Sequence, residues 1–265
     1  MQIDRNEVLK RIKPNDKVLD IGSWEEVFPR ANVIIDLNPY ETRKIKYRDE
    51  PENFTKDTWI YGDVCDTIVW SIFKDKEFDF AICSHILEDV RDPLFICSQL
   101  NRVAKAGYIE CPSRFRECAK VNKKDPHTGY DHHRWIMDVI DGELSFTPKL
   151  YWAHFIDYLG DSRRDYLKAY QFHFTGVFWK GSFSYHERTA KGMLLESMNL
   201  MYFYDTYNYI NGKFVYEIEN GLKSPKIPAG TVIWVDKFCL PIENVKPDIL
   251  EKYKKKLKVL TAYVN

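Results

Sequence analysis

The sequence predicts an α/β protein: a doubly wound, mostly parallel sheet with an aromatic-rich C-terminal elaboration. Two observations predict the sheet and a third predicts the elaboration. In the first half of the chain, short apolar runs bounded by turn formers alternate with helically spaced apolar patterns, the rhythm of parallel strands joined by crossover helices. Several of these runs end on acidic or polar residues, and in an open parallel sheet ligands bind outside the carboxyl ends of the strands. Aromatic residues make up 15% of the chain, and much of that content falls after residue 150.

Taken in order, Val18-Leu19-Asp20-Ile21 lies between Pro14-Asn15-Asp16 and Gly22 and reads as a first buried strand. Val33-Ile34-Ile35-Asp36, ended by Asn38-Pro39, is a second, and Trp59-Ile60-Tyr61 before Gly62-Asp63 a third. Residues 78–83 form a fourth. A helix over 93–103 follows, with Asp92 as its cap and Pro93 in its first turn. Residues 107–111, stopped by Pro112, form a fifth strand. Residues 1–114 are thus the α/β core. Residues 115–150 are polar and rich in turn formers, and they predict a long connection or lid. Within 151–265, aromatic runs on either side of Lys180-Gly181 predict a hairpin over 166–186. A helical or mixed stretch over 193–210, a late strand at 231–235 and a terminal helix over 247–263 complete the reading, with Lys254-Lys255-Lys256 on that helix's solvated side.

The 39 Lys and Arg balance 39 Asp and Glu, so there is no electrostatic excess to hold a polyanion against salt. This argues against nucleic acid and a charged membrane surface as partners. No stretch has the pattern of a secretory signal and no apolar run approaches the ~18–20 residues that span a bilayer, so a soluble, cytoplasmic protein is expected. Cys65, Cys83, Cys97, Cys111, Cys118 and Cys239 contain no Cys-x-x-Cys pair and read as free thiols.

The strand ends carry the functional signal. A carboxylate closing the second strand, at Asp36, can accept two hydrogen bonds at once and so hold both hydroxyls of a ribose. Gly22 lets the first turn approach a ligand closely, and Asp63 offers an acceptor to an exocyclic amine. Ser84-His85 and Pro112-Ser113 close the next two strands.

These motifs carry a resemblance. The stretch from Val18 to Ser23, followed by Pro29-Arg30-Ala31-Asn32-Val33 through Asp36-Leu37, is similar to the first two motifs of the class I S-adenosylmethionine-dependent methyltransferases, in the type 11 branch. Phe78-Asp79-Phe80-Ala81-Ile82-Cys83-Ser84-His85-Ile86-Leu87-Glu88-Asp89 resembles that branch's fourth-strand motif, with Asp89 where a second histidine is usual. Arg102 through Ser113 resembles the next motif, and His133-Arg134-Trp135 with 141–146 is similar to a downstream segment of one bacterial subgroup. The resemblance covers roughly 16–150, with a weaker echo in 174–185. It implies a seven-stranded Rossmann-like methyltransferase sheet and S-adenosylmethionine as cofactor. By position it places Asp20, Gly22, Ser23 and Trp24 at the methionine part, Asp36 and Leu37 at the ribose, Asp63 and Val64 at the adenine, and Ser84 and His85 beside the sulfonium.

The reaction implied is methyl transfer to a small-molecule or glycan-linked acceptor, at oxygen, with the C-terminal part completing the sheet and forming the acceptor side. A sulfonium is already a potent methyl donor, so the protein aligns the nucleophile and removes a proton. His85, Glu88, His132 and His133 are the candidate bases. One departure stands out: Trp24 replaces a second glycine and is followed by Glu25-Glu26. Its indole either fills the methionine pocket or swings out and covers the ligand. The alternative reading is a non-catalytic or reassigned domain that acts as a binding module or a nucleotide-sugar binder. No metal is expected. Adjacent His132 and His133 in an extended chain point to opposite faces, and no carboxylate or third histidine stands at a helical partner spacing. The state of assembly is open, a homodimer included.

Overall fold

The computed structural model describes residues 5–43, 50–118, 120, 126–140, 143–155 and 174–188, and the strand segments 214–219, 232–235 and 238–241. Strands β1 (Val18–Ile21), β2 (Val33–Asp36), β3 (Trp59–Tyr61), β4 (Phe80–Ser84) and β5 (Ala106–Pro112) form the predicted core sheet. They are joined by short and longer helices, among them α1 (Arg5–Leu9), α2 (Thr67–Ser71), α3 (Pro93–Val103) and α4 (Arg114–Glu117). Farther along lie β6 (Trp135–Ile140), β7 (Glu143–Pro148), β8 (Phe174–Lys180), β9 (Tyr185–Glu187), β10 (Phe214–Glu219), β11 (Val232–Val235) and β12 (Phe238–Pro241).

The main sheet has seven strands in the order β10-β8-β5-β4-β1-β2-β3. β1 to β5 are mutually parallel, while β8 runs antiparallel to β5 and parallel to β10. Chain progression reverses at β1, which pairs with β2 on one side and β4 on the other, so a crevice opens at the carboxyl ends there.

Every residue of β1 and β2 is buried, because both faces of the sheet are covered. Leu19, Ile21, Ile35, Ala81, Cys83 and Ile109 pack on one face with Trp70 of α2 and with Ile96, Leu100 and Val103 of α3. Val18, Ile34, Phe80, Ile82, Tyr108 and Phe178 pack on the other with Val8 of α1 and Phe28. The α3 helix begins as the sequence predicts: the Asp92 carboxylate accepts from the Phe95 amide at 2.8 Å, and Pro93 occupies the first turn, where its missing N–H costs nothing.

Two expectations change. The polar 115–150 stretch contains an antiparallel pair, β6 with β7, extended by parallel pairing of β7 with β9. Met137, Val139, Leu144 and Phe146 alternate along these strands and join the main core, while Ser145 and Thr147 are buried on the opposite face of β7. The hairpin expected around Lys180-Gly181 does not form between β8 and β9. β8 pairs with β5 over seven residues and β9 with β7, while Gly181, at φ +78°, turns the chain from one sheet to the other. The apolar run of β8 is two-sided, with Val177 and Trp179 facing one core and Phe178 the other, which suits a strand inside a sheet. Gly107 admits it: a Cβ there would sit 2.8 Å from the Trp179 ring and 2.4 Å from the Ala81 carbonyl oxygen.

The late strand falls at β11 and pairs with β12. The expected helices over 193–210 and 247–263, the lysine run, and residues 166–173 of the expected hairpin lie outside the described residues. Among described residues Cys65, Cys83, Cys97, Cys111 and Cys118 are free thiols, and no helix is long and apolar enough to cross a membrane.

Candidate active site

A cleft of about 890 Å³ lies at the carboxyl ends of β1, β2 and β4, within the ~300–1,000 Å³ typical of small-molecule sites. Every residue to which the sequence gives a role at the site lines it: Asp20, Gly22, Ser23, Trp24, Asp36 and Leu37 on one side, and Asp63, Val64, Ser84, His85, Glu88, His132 and His133 on the other.

The floor begins at β1. Asp20 is buried, and its Oδ2 accepts from the Phe28 amide at 3.0 Å. Its Oδ1 has no partner at good hydrogen-bond geometry among the described residues, although the Ser23 hydroxyl lies beside the carboxyl. Burial outweighs the Phe28 and Ser23 contacts and pushes the Asp20 carboxyl up to about 7. Gly22 adopts φ +66°, and a Cβ there would lie 1.9 Å from Ile86 Cδ1. The glycine is therefore required by its left-handed backbone and by the Ile86 side chain packed over it.

Trp24 does not occupy the floor. Its indole Nε1 donates to the Thr42 carbonyl oxygen at 2.7 Å and to Thr42 Oγ1 at 3.1 Å, which ties the ring to the turn after β2. Its amide donates to Asp36 Oδ2 at 2.9 Å, while Asp36 Oδ1 accepts from the Asn38 amide at 2.7 Å. Oδ1 also accepts from the Asn38 side-chain amide at 3.2 Å, so Asp36, 2% exposed, serves three donors and keeps one lone pair, on Oδ2. Burial raises its carboxyl against those hydrogen bonds. Leu37 is 66% exposed although apolar, and Asp63, half-exposed, accepts from the Cys65 amide at 2.7 Å and faces Arg91 at 3.6 Å.

At the end of β4, His85 has φ +57°, an uncommon conformation for a residue with a side chain. The strain is fixed by contacts on both ring nitrogens: Nδ1 lies 3.2 Å from Glu88 Oε1 and Nε2 lies 3.1 Å from Glu110 Oε1. Burial pulls the imidazole down, but the two carboxylates prevail and push it up to about 9. With both nitrogens donating, His85 is an imidazolium at neutral pH and offers no lone pair, which removes it as a general base. Glu110, fully buried, also accepts from Tyr108 Oη at 2.7 Å and from Ser84 Oγ at 3.2 Å.

The opposite wall comes from the segment before β6. The Arg134 and Trp135 amides donate to the Glu88 carbonyl oxygen at 2.7 and 3.1 Å, which pins this segment to the end of β4. His133 is buried, with Nδ1 2.6 Å from Glu117 Oε1. Lys149 Nζ donates to Glu117 Oε2 at 2.6 Å and to the Thr128 and Tyr130 carbonyl oxygens. Burial would raise the Glu117 carboxyl; the His133 hydrogen bond and the Lys149 charge more than offset it and hold it low. With Nδ1 turned to Glu117, the other ring nitrogen of His133, Nε2, faces the cleft 3.7 Å from Asp89 Oδ1.

This wall corrects the expectation that the histidine pair cannot converge. Asp89, His132 and His133 bring one ligand atom each to within 4.8 Å of one another. The helical-spacing test failed because the carboxylate comes from a turn more than forty residues earlier in the chain. Sequence reasoning also missed Glu110, Glu117 and Lys149. The signal for Glu110 was present as an acidic residue inside an apolar strand, whereas nothing local marks Glu117 and Lys149 as partners.

No protein-family model matches the chain, and no curated protein matches it. Among solved structures it is similar to an S-adenosylmethionine-dependent methyltransferase from Mesorhizobium loti, at 14% identity over 74% of this chain and 78% of that one, with a TM-score of 0.34. It is also similar to a SAM-dependent methyltransferase from Thermotoga maritima, at 18% identity over 41% and 50% of the two chains, with a TM-score of 0.30. A third likeness is to the N-terminal domain of EvdMO1 in the presence of SAH and D-fucose, at 18% identity over 51% and 57%, with a TM-score of 0.32. The chain spans about half the length of the Thermotoga maritima protein and 57% of the EvdMO1 domain. The seven-stranded, mostly parallel order is the fold that the sequence resemblance implies. With TM-scores this low, the reading of the cleft rests on its own residues.

Proposed function

We propose that this chain binds S-adenosylmethionine and transfers its methyl group to a hydroxyl of a small or glycan-linked acceptor. The observation that carries the reading is the buried Asp20, whose Oδ1 has only the neighbouring Ser23 hydroxyl, outside good hydrogen-bond geometry, at the floor of a crevice at the sheet's switch point. An under-satisfied buried carboxylate is costly, and the ammonium of the ligand's methionine part would satisfy it. Asp36 Oδ2 has a lone pair left for a ribose hydroxyl, Leu37 and Val64 offer apolar contact to adenine, and Asp63 offers an acceptor to its amine. Trp24, held at Thr42, walls the methionine side together with Ser23.

The bound cofactor supplies an activated methyl on a sulfonium. Ser84 and His85 flank that position, and Glu88 and Glu110 around His85 keep its positive charge from standing uncompensated beside a second one. His133 accepts the hydroxyl proton at Nε2, its ring held by Glu117. The acceptor oxygen takes the methyl, the sulfur keeps the electron pair of the broken bond, and the imidazole keeps the proton.

Calorimetry with S-adenosylhomocysteine tests this reading. Saturable binding is expected, weakened at least tenfold by Asp20→Asn because a charge-assisted bond is lost. No heat and no thermal shift at millimolar ligand would sink it.

A further inference from the structure

The wall that carries His133 also holds a carboxylate that proton transfer to His133 does not use. Asp89 Oδ1 lies 3.7 Å from His133 Nε2 and 4.0 Å from His132 Nε2, and it is buried with no hydrogen-bond partner among the described residues. Neither separation is a hydrogen bond. Each imidazole instead turns its other nitrogen to a carboxylate: His133 Nδ1 to Glu117 Oε1 at 2.6 Å, and His132 Nδ1 to Asp131 Oδ1 at 3.4 Å. Carboxylates placed in this way fix the tautomer and orientation of metal-ligating histidines. The two segments are also strapped together: Trp135 Nε1 donates to the Val90 carbonyl oxygen at 2.9 Å, beside the amide bonds to Glu88.

We propose that Asp89, His132 and His133 form a binding site for a divalent first-row transition cation, open to the cleft. Two imidazoles and a carboxylate make a three-ligand set that leaves coordination positions for an outside oxygen. Two ligand atoms at ~2.1 Å from one ion, at the tetrahedral angle, lie ~3.4 Å apart, so the two Asp89–imidazole separations need shifts of a few tenths of an ångström and the two imidazoles, within 4.8 Å of each other, draw closer as well. The His132 side chain, 62% exposed, is free to make them. The open positions face the cleft that also holds Ser84 and His85.

The consequence for catalysis rests on the methyl-transfer reading. A cation here would take one acceptor hydroxyl, or two neighbouring oxygens, and lower the hydroxyl's pKa. The proton then leaves to water in the cleft, and His133 Nε2 serves as a ligand instead of a proton acceptor. Acceptors with adjacent oxygens, such as vicinal diols, are the class favoured.

The test uses the full chain, free of tags and stripped with a chelator. Zn²⁺ alone is titrated by calorimetry and Co²⁺ alone by visible absorption, with S-adenosylhomocysteine binding measured on the same samples. A single equivalent of each cation should bind. His132→Ala and Asp89→Asn should each weaken it at least about tenfold. His186→Gln, a half-exposed histidine outside the cluster, should leave it unchanged. No cation binding, or binding undiminished in both variants, overturns the site. Cation binding without S-adenosylhomocysteine binding keeps the site and removes the methyl-transfer reading, whereas the reverse removes the site alone.

Discussion

His133 Nδ1 lies 2.6 Å from Glu117 Oε1, and both residues are buried. The other Glu117 oxygen is 2.6 Å from Lys149 Nζ, also buried, so one carboxylate orients the imidazole and neutralises an ammonium. Glu117→Gln keeps an acceptor for His133 but strands the Lys149 charge. A stability loss of about 3–5 kcal/mol is expected at neutral pH, read from urea denaturation. A loss below ~1 kcal/mol would mean that Lys149 is compensated elsewhere.

Asp20 titrates against stability. Its folded carboxyl is raised from 3.8 to about 7, so between those values the folded state holds a proton that the unfolded chain gives up. Stability therefore falls as pH rises through this window. Asp20→Asn should be near neutral in effect at pH 4 and stabilising by up to about 4 kcal/mol above pH 7, while weakening S-adenosylhomocysteine binding. Matched denaturation curves at the two pH values check the sign.

For His85 the sign is opposite. Its imidazole rises from 6.5 to about 9 in the fold, so its contribution is fully present below 6.5 and is lost as pH climbs through about 9. The stability gap between the wild type and His85→Gln should shrink by on the order of 3 kcal/mol from pH 6 to pH 10. A gap that stays constant over that range would show that the Glu88 and Glu110 contacts do not hold a proton on the ring.

Gly22→Ala adds a Cβ 1.9 Å from Ile86 Cδ1 at φ +66°. Overpacking and backbone strain together predict a loss of about 2–4 kcal/mol by thermal or urea unfolding. Adding Ile86→Ala to Gly22→Ala should relieve the overlap but not the backbone strain. Measured against the Ile86→Ala single variant, the glycine change should therefore cost less than it does in the wild type.

Much of the cleft was legible in the chain because strand ends are local features. Asp20, Gly22, Asp36, Asp63, Ser84 and His85 each follow an apolar run and reach the cleft by backbone geometry alone. The β6–β7 pair was less legible because its short alternation, Leu144-Ser145-Phe146-Thr147, sits inside a polar, turn-rich stretch. The false hairpin at Lys180-Gly181 had the right turn residue, but strand partners are chosen by which core each face can reach.

The sequence by itself determined the parallel core, the reversal crevice and the residues that line it. Only the tertiary structure decided their chemistry. It places Glu88 and Glu110 around His85, which turns a candidate base into an imidazolium, and it sets Glu117 behind His133 Nδ1, which leaves Nε2 facing the cleft. It also brings Asp89 to the two histidines and carries the Trp24 indole out to Thr42. The physical reason is that protonation, ligation and occlusion depend on distances of a few ångströms between groups far apart in the chain, and burial fixes those distances only once the core has formed.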